Sequence, residues 1–197
     1  LFKKDKPTAS FSNPKEKLIT HNDNFFAEES YKAVRTNIMF SLSDSDECKV
    51  IAITSPNQNE GKTTTIINTA YTFTQTDAKV LVIDADLRRA NVHRTLGLPL
   101  KTGLSDILCG FSSPEKAIQK NALGNLDIIS SGQIPPNPAE LLASPKMAEL
   151  INNLKQKYDY IFIDTPPVNL VTDATVLSKI VSGMIIVVRQ NSTTYDS

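Results

Sequence analysis

Cysteine is scarce: Cys48 and Cys109 are the only two in 197 residues, and neither belongs to a Cys-x-x-Cys pair or lies near a histidine cluster. That excludes a disulfide framework and a thiolate zinc site, and a reducing compartment is expected. An excess of charge is also missing. Twenty-one basic residues balance 21 acidic ones, so no global field gathers nucleic acid, and any anion binding must be local. No apolar run approaches the roughly 18 residues of a membrane span, and no signal-peptide core opens the chain. The first residue is Leu1 rather than methionine, from which a longer parent chain is expected. With 40% hydrophobic residues, the length suits one sizeable α/β core and is too short for two comfortable domains.

Residues 1–27 carry Lys3, Lys4, Lys6, Lys15 and Lys17 among prolines and small polar residues, with neither helical nor strand period. They read as a flexible basic tether, a solvated linker or an arm for an anionic membrane surface. Residues 28–197 read as the single domain. Its opening stretch, Glu28 to Leu42, has helical spacing in Tyr31, Val34, Ile38 and Leu42, and a charged ladder of Glu29, Lys32 and Arg35. A ladder of this kind serves either as a solvated face or as a subunit contact. From Lys49 the chain alternates strand and helix: strands Val50–Thr54, Lys79–Asp84, Leu126–Ser130, Tyr160–Asp164 and Gly183–Val188, with a helix over Lys62–Gln75. Short helices are expected at Gly103–Leu108, Pro114–Ile118 and from Pro138 or Ala139. Continuous Val/Ile runs predict strands buried on both faces, hence a mostly parallel central sheet with helices on each side.

Ser55 to Thr64 joins the first strand to a helix that opens with Gly61-Lys62-Thr63, the context of a phosphate-binding loop. The helix N-terminus offers unpaired amides, Lys62 a charge for the β- and γ-phosphates, and the Thr63 hydroxyl a ligand for Mg²⁺. Glu60 and Thr64 flank these residues. The loop holds no second glycine; Asn59, tolerant of left-handed backbone angles, is expected to make the turn instead.

Ligands on parallel sheets lie beyond the carboxyl ends of the strands. Two strands end in acids there: Asp84-Ala-Asp86-Leu-Arg88 and Asp164-Thr-Pro-Pro167. Carboxylates so placed organise Mg²⁺ directly or through water, although Asp164-Thr-Pro-Pro also fits a turn. Asp84 is the expected general base toward an incoming hydroxyl; alternatively Asp84 and Asp86 both serve only the metal. His21 and His93 are expected to be structural or on the surface. The proline-rich stretch Ser131 to Leu142 follows a strand end and is expected to border the crevice.

The loop Ser55–Thr64, Leu81-Val-Ile-Asp-Ala-Asp-Leu-Arg88, Ser131–Leu142, Ile161-Phe-Ile-Asp-Thr-Pro-Pro167 and Glu29–Ile38 together resemble the bacterial tyrosine autokinases of capsular and exopolysaccharide synthesis, CapB/CpsD-like BY-kinases with Walker A, A′ and B motifs. The resemblance runs from about Glu28 to about Arg189. It implies a P-loop fold of the MinD/ParA type and transfer of the γ-phosphoryl of ATP, with Mg²⁺, to tyrosines in a neighbour's C-terminal tail. It further implies a ring-like homo-oligomer at the inner face of the membrane, stimulated by the cytoplasmic segment of a transmembrane polysaccharide co-polymerase. On this reading Lys62, Asp84 and Asp86 are catalytic. Asn59, Glu60, Gly61, Lys62, Thr63, Thr64 and Asp164 bind the nucleotide, and Thr63, Asp84, Asp86 and Asp164 the metal. Glu29, Lys32 and Arg35 fall on the family's subunit-contact motif, with Lys32 replacing an arginine. Gln58-Asn59-Glu60 stands where Pro-Gly-Glu is usual, and the chain stops at Ser197 before any tyrosine-rich tail, leaving Tyr195 as the expected free tyrosine. Two other functions compete: a ParA/MinD-type ATPase, disfavoured because Ser55-Pro56-Asn57 lacks a lysine, and a non-catalytic nucleotide-gated assembly regulator.

Overall fold

A computed structural model describes residues 15, 18–21, 25–43, 47–169, 176–191 and 193. Tyr195, Ser197 and most of the expected tether lie outside the described residues. The elements run α1 (Phe25–Ser41), β1 (Lys49–Thr54), α2 (Lys62–Thr74), β2 (Val80–Asp84), α3 (Val92–Thr95), α4 (Leu104–Leu108), α5 (Pro114–Ala117), β3 (Ile118–Leu123), β4 (Leu126–Ile129), α6 (Pro138–Leu142), α7 (Pro145–Lys155), β5 (Tyr160–Asp164) and β6 (Gly183–Ile186).

The strands form one six-stranded sheet in the order β3-β4-β2-β5-β1-β6. All its pairings are parallel except the β3–β4 hairpin, which turns at Gly124 with φ 57°. Because side chains alternate along a strand, β2 divides its apolar residues between two cores. Leu81 and Ile83 pack with Leu104, Leu108, Met147 and Ile151 on one face. Val80 and Val82 pack with Ile66, Ile67, Phe73 and Val92 on the other. The central strands are therefore buried on both faces, as their composition predicts.

β6 departs from that expectation. It is an edge strand paired only to β1 among the described residues, and its residues alternate between half-buried and exposed. Two elements were not expected at all. β3 has a polar middle, Gln119-Lys-Asn121, that obscures its strand character. α7 buries Met147, Leu150, Ile151 and Leu154, an i, i+3, i+4, i+7 stripe legible in the sequence.

The boundary of the expected tether also shifts. α1 begins at Phe25, and Leu18 is fully buried in the core beneath α1 and α2, where the Ile19 N–H donates to Asn68 Oδ1 at 3.1 Å. Docking of α1 on α2 is reinforced by the Arg35 guanidinium, which donates to the Thr72 carbonyl.

Candidate active site

β1, β5, β2 and β4 are parallel neighbours, so the loops that leave them gather along one edge of the sheet around a cleft of about 840 Å³. At the end of β1, Asn59 (φ 63°) and Gly61 (φ 94°) both take left-handed angles. Asn59 thus makes the turn expected of it. A Cβ on Gly61 would meet no atom within 4 Å, so glycine serves there by its backbone angle rather than by its size. No side chain caps α2, leaving its first amides to a ligand.

Lys62 lines the cleft and is only 9% exposed, and its ammonium makes no hydrogen bond or ion pair among the described residues. Thr63 Oγ1 donates to Asp164 Oδ2 at 2.6 Å, while Asp164 Oδ1 is buried with no partner among the described residues. Burial pushes the Asp164 carboxyl up to about 6, against the pull of Lys62 and of the Thr63 hydroxyl. Thr64 lies on the cleft wall beside them.

Asp84 and Asp86, two residues apart, have different surroundings. Asp84 is wholly buried and accepts three backbone N–H bonds, from Asp86 at 3.2 Å, Asn91 at 3.0 Å and Val92 at 3.1 Å. Its carboxyl is raised well above the ordinary range by burial and then by Asp164. These bonds shape the loop from Asp86 to Val92. Asp86 lines the cleft, with one oxygen accepting the Arg89 N–H at 2.9 Å.

Glu60 is hydrogen-bonded within the chain. It lies outside the cleft lining and accepts hydrogen bonds from the Asn57 N–H at 2.9 Å and the Thr193 hydroxyl. Burial opposes its ionisation, but these donors prevail and hold its carboxyl below the usual range. These bonds brace the loop.

Among the described residues the cleft gathers Lys62, Arg88, Arg89 and Arg94 against one lining carboxylate, Asp86. In a chain with no net charge, this is the local anion site that neutrality requires. The residues fit Mg²⁺ with a nucleotide. Asp164 Oδ1 is an orphaned buried acceptor beside a threonine hydroxyl, and no cluster of three His, Cys, Asp or Glu exists among the described residues to hold a metal without phosphate oxygens.

Comparison with known proteins decides the family. The AAA domain family matches residues 48–195. The tyrosine-protein kinase YwqD of Bacillus subtilis is 43% identical over 165 residues, 84% of this chain and 69% of that protein. The chain belongs to the bacterial tyrosine-protein kinases. Among solved structures, the chimerical protein CapA2B2 superposes on the kinase with a TM-score of 0.86 at 36% identity, covering 92% of this chain and 80% of that one. The septum site-determining protein MinD of Pyrococcus horikoshii, solved with Mg-ADP, reaches a TM-score of 0.61 at 32% identity, over 71% of this chain and 57% of that one. The mostly parallel P-loop fold expected from the sequence is thereby shown, and the family is one of capsule and exopolysaccharide kinases.

Several residues of the kinase's cleft escaped the sequence reading. His93, expected to be structural or on the surface, is 93% buried by its 7% exposure and lines the cleft, with Nδ1 unpartnered among the described residues. Burial, then Arg94, lowers its pKa. Arg94, Leu100, Gln133 and Ile134 join it on the wall. The last two lie in the proline-rich stretch that was expected to border the crevice.

The ladder on α1 is occupied within the chain. The Lys32 ammonium pairs with Glu28 and Glu29 of its own helix, each at 2.9 Å, and Arg35 is committed to Thr72. No helix among the described residues is long and apolar enough to cross a membrane.

Proposed function

We propose that this kinase binds Mg²⁺ and ATP in the cleft and transfers the γ-phosphoryl to tyrosines in the tail of a neighbouring copy. The observation that carries this reading is the junction of Thr63 with Asp164 beside the unpaired Lys62 ammonium. Those groups supply a hydroxyl, a free carboxylate oxygen and a cation where a phosphate chain on the α2 N-terminus needs them. Bound Mg²⁺ would neutralise charge on the phosphate oxygens, held by Thr63, Asp164 and Asp86.

Lys62 stabilises the negative charge that develops on the transferred group. The tyrosine oxygen bonds to the γ-phosphorus as the bond from that phosphorus to the bridging oxygen breaks. ADP leaves with the electron pair, and the hydroxyl proton passes to the Asp86 carboxylate, which lines the cleft. Asp84 holds the loop that presents Asp86. Asn59, Gly61 and Thr64 shape and line the phosphate end, and Glu60 braces it.

The wider arrangement follows the family: a ring-like homo-oligomer at the inner face of the membrane, governed by the cytoplasmic segment of a transmembrane partner. Exposed Glu29 and half-buried Lys32 on α1 are available for a subunit contact, and Arg35 orients the helix that carries them. The test is stoichiometric. Incubation with Mg²⁺, ATP and a tyrosine peptide should yield about one phosphotyrosine per ADP; ADP accumulating together with an equal amount of free phosphate and no phosphotyrosine would instead make the chain a MinD-like ATPase.

A further inference from the structure

The cleft has a second character away from its phosphate end. Leu100 and Ile134 line it with 50% and 71% of their surfaces exposed, large aliphatic side chains on a wall that also carries Lys62, Asp86 and three arginines. A single exposed aliphatic residue is ordinary, but Ile134 lies three residues beyond a segment whose backbone is pinned to α4. The N–H groups of Leu104 and Ser105 donate to the carbonyls of Ser130 and Ser131 at 2.8 and 2.9 Å.

Gly103 and Gly132 make that contact possible. A Cβ on Gly103 would fall 2.1 Å from the Ser130 carbonyl oxygen, and one on Gly132 would fall 2.3 Å from Asp106 Oδ2. On the other side of Ile134, Pro135 and Pro136 restrict the chain. The backbone leading into and out of Ile134 is therefore restricted, which reduces the backbone ordering that an apolar contact there would cost.

The order of strand ends says what it is presented to. Along the sheet edge lie β1 with the phosphate loop, β5 with Asp164, β2 with the loop bearing Asp86, and β4 with Gln133 and Ile134. Displacement at phosphorus is in line, so the acceptor enters from the side of the γ-phosphate opposite the bond to the rest of the nucleotide. The acids lie on the β5 and β2 side of the phosphate loop, which places the acceptor beyond them, toward β4.

We infer that Leu100 and Ile134 form the acceptor subsite, gripping the ring of the substrate tyrosine so that its hydroxyl meets Asp86. This rests on the kinase mechanism proposed above. The pair selects a flat apolar ring and disfavours serine, whose short side chain leaves the wall uncovered.

Steady-state kinetics of the full chain with a synthetic tyrosine peptide, beside calorimetry of Mg²⁺-ATP binding, tests it. Leu100→Ala and Ile134→Ala should each raise the peptide KM by about tenfold, with kcat and nucleotide Kd near the wild-type values, and Ile134→Met should restore the KM. Both positions are solvent-facing, so folding is not at stake, and retained nucleotide binding verifies it. An unchanged peptide KM overturns the subsite. So does a weakened nucleotide Kd with the peptide KM intact, which would make the wall a nucleobase contact. If the wild-type chain labels no tyrosine peptide, the mechanism itself fails and the subsite falls with it.

Discussion

Thr63 Oγ1 donates to Asp164 Oδ2 at 2.6 Å, a bond between residues 101 positions apart that joins the first turn of α2 to the end of β5. It spends one carboxylate oxygen on the phosphate loop and leaves the other, Oδ1, buried and without a partner among the described residues. A fold built only for stability has no use for such a group, because an unsatisfied buried acceptor costs about 1–3 kcal/mol.

That cost gives a pH-dependent prediction for the metal-free chain. Burial lifts the Asp164 carboxyl to about 6, above the roughly 4 of an unfolded aspartate. The folded state therefore binds the proton more tightly, and stability present at low pH is lost as pH rises between those two values. Asp164→Asn should stabilise the chain at neutral pH by on the order of 2 kcal/mol, raising the melting temperature there, and flatten that decline. Thermal scans from acid to neutral pH without metal check this; a lower melting point for Asp164→Asn would contradict it.

Asp84 and Asp86 should fail differently. Asp84 accepts three backbone N–H bonds, and an asparagine, with one acceptor oxygen, leaves at least one donor unpaired. Asp84→Asn should destabilise the chain by about 1–3 kcal/mol in urea unfolding. Asp86→Asn should leave stability within about 0.5 kcal/mol and lower kcat by about two orders of magnitude. The reverse pattern would return the base to Asp84.

On α1, Arg35→Ala should loosen the helix from α2 because the Thr72 carbonyl loses its donor. Glu29→Lys should not, since Glu29 is exposed and its contact with Lys32 lies within one helix. If α1 is a subunit contact, Glu29→Lys should shift the assembly toward monomers in sedimentation with the unfolding midpoint unchanged. An unchanged mass would confine the ladder to the solvated face it also resembles.

How much of this was legible in the sequence depends on the scale of the interaction involved. The β1-loop-α2 unit, the left-handed Asn59 and the acid-bearing ends of β2 and β5 follow from local chemistry, and all take the expected form. The hydrogen bonds of Asp84 and Glu60 were not legible, because which donors surround a carboxylate is decided by loops that close over it after folding. β3 was missed because its pairing with β4 is a tertiary matter masked by polar residues, and Leu18 because one apolar residue carries no period. The cleft's apolar wall depends on Gly103 packing against Gly132, a contact that no spacing announces.

The most direct test of the account is a single-turnover reaction of wild-type and Lys62→Met chains with γ-labelled ATP, Mg²⁺ and a tyrosine peptide, followed by phosphoamino-acid analysis. The wild type should place the label on tyrosine, and Lys62→Met, folded to the same melting temperature, should do so at least about a hundredfold more slowly, for want of the cation that meets the developing charge. Equal labelling by the two chains would contradict the assignment of the cleft as the site of transfer.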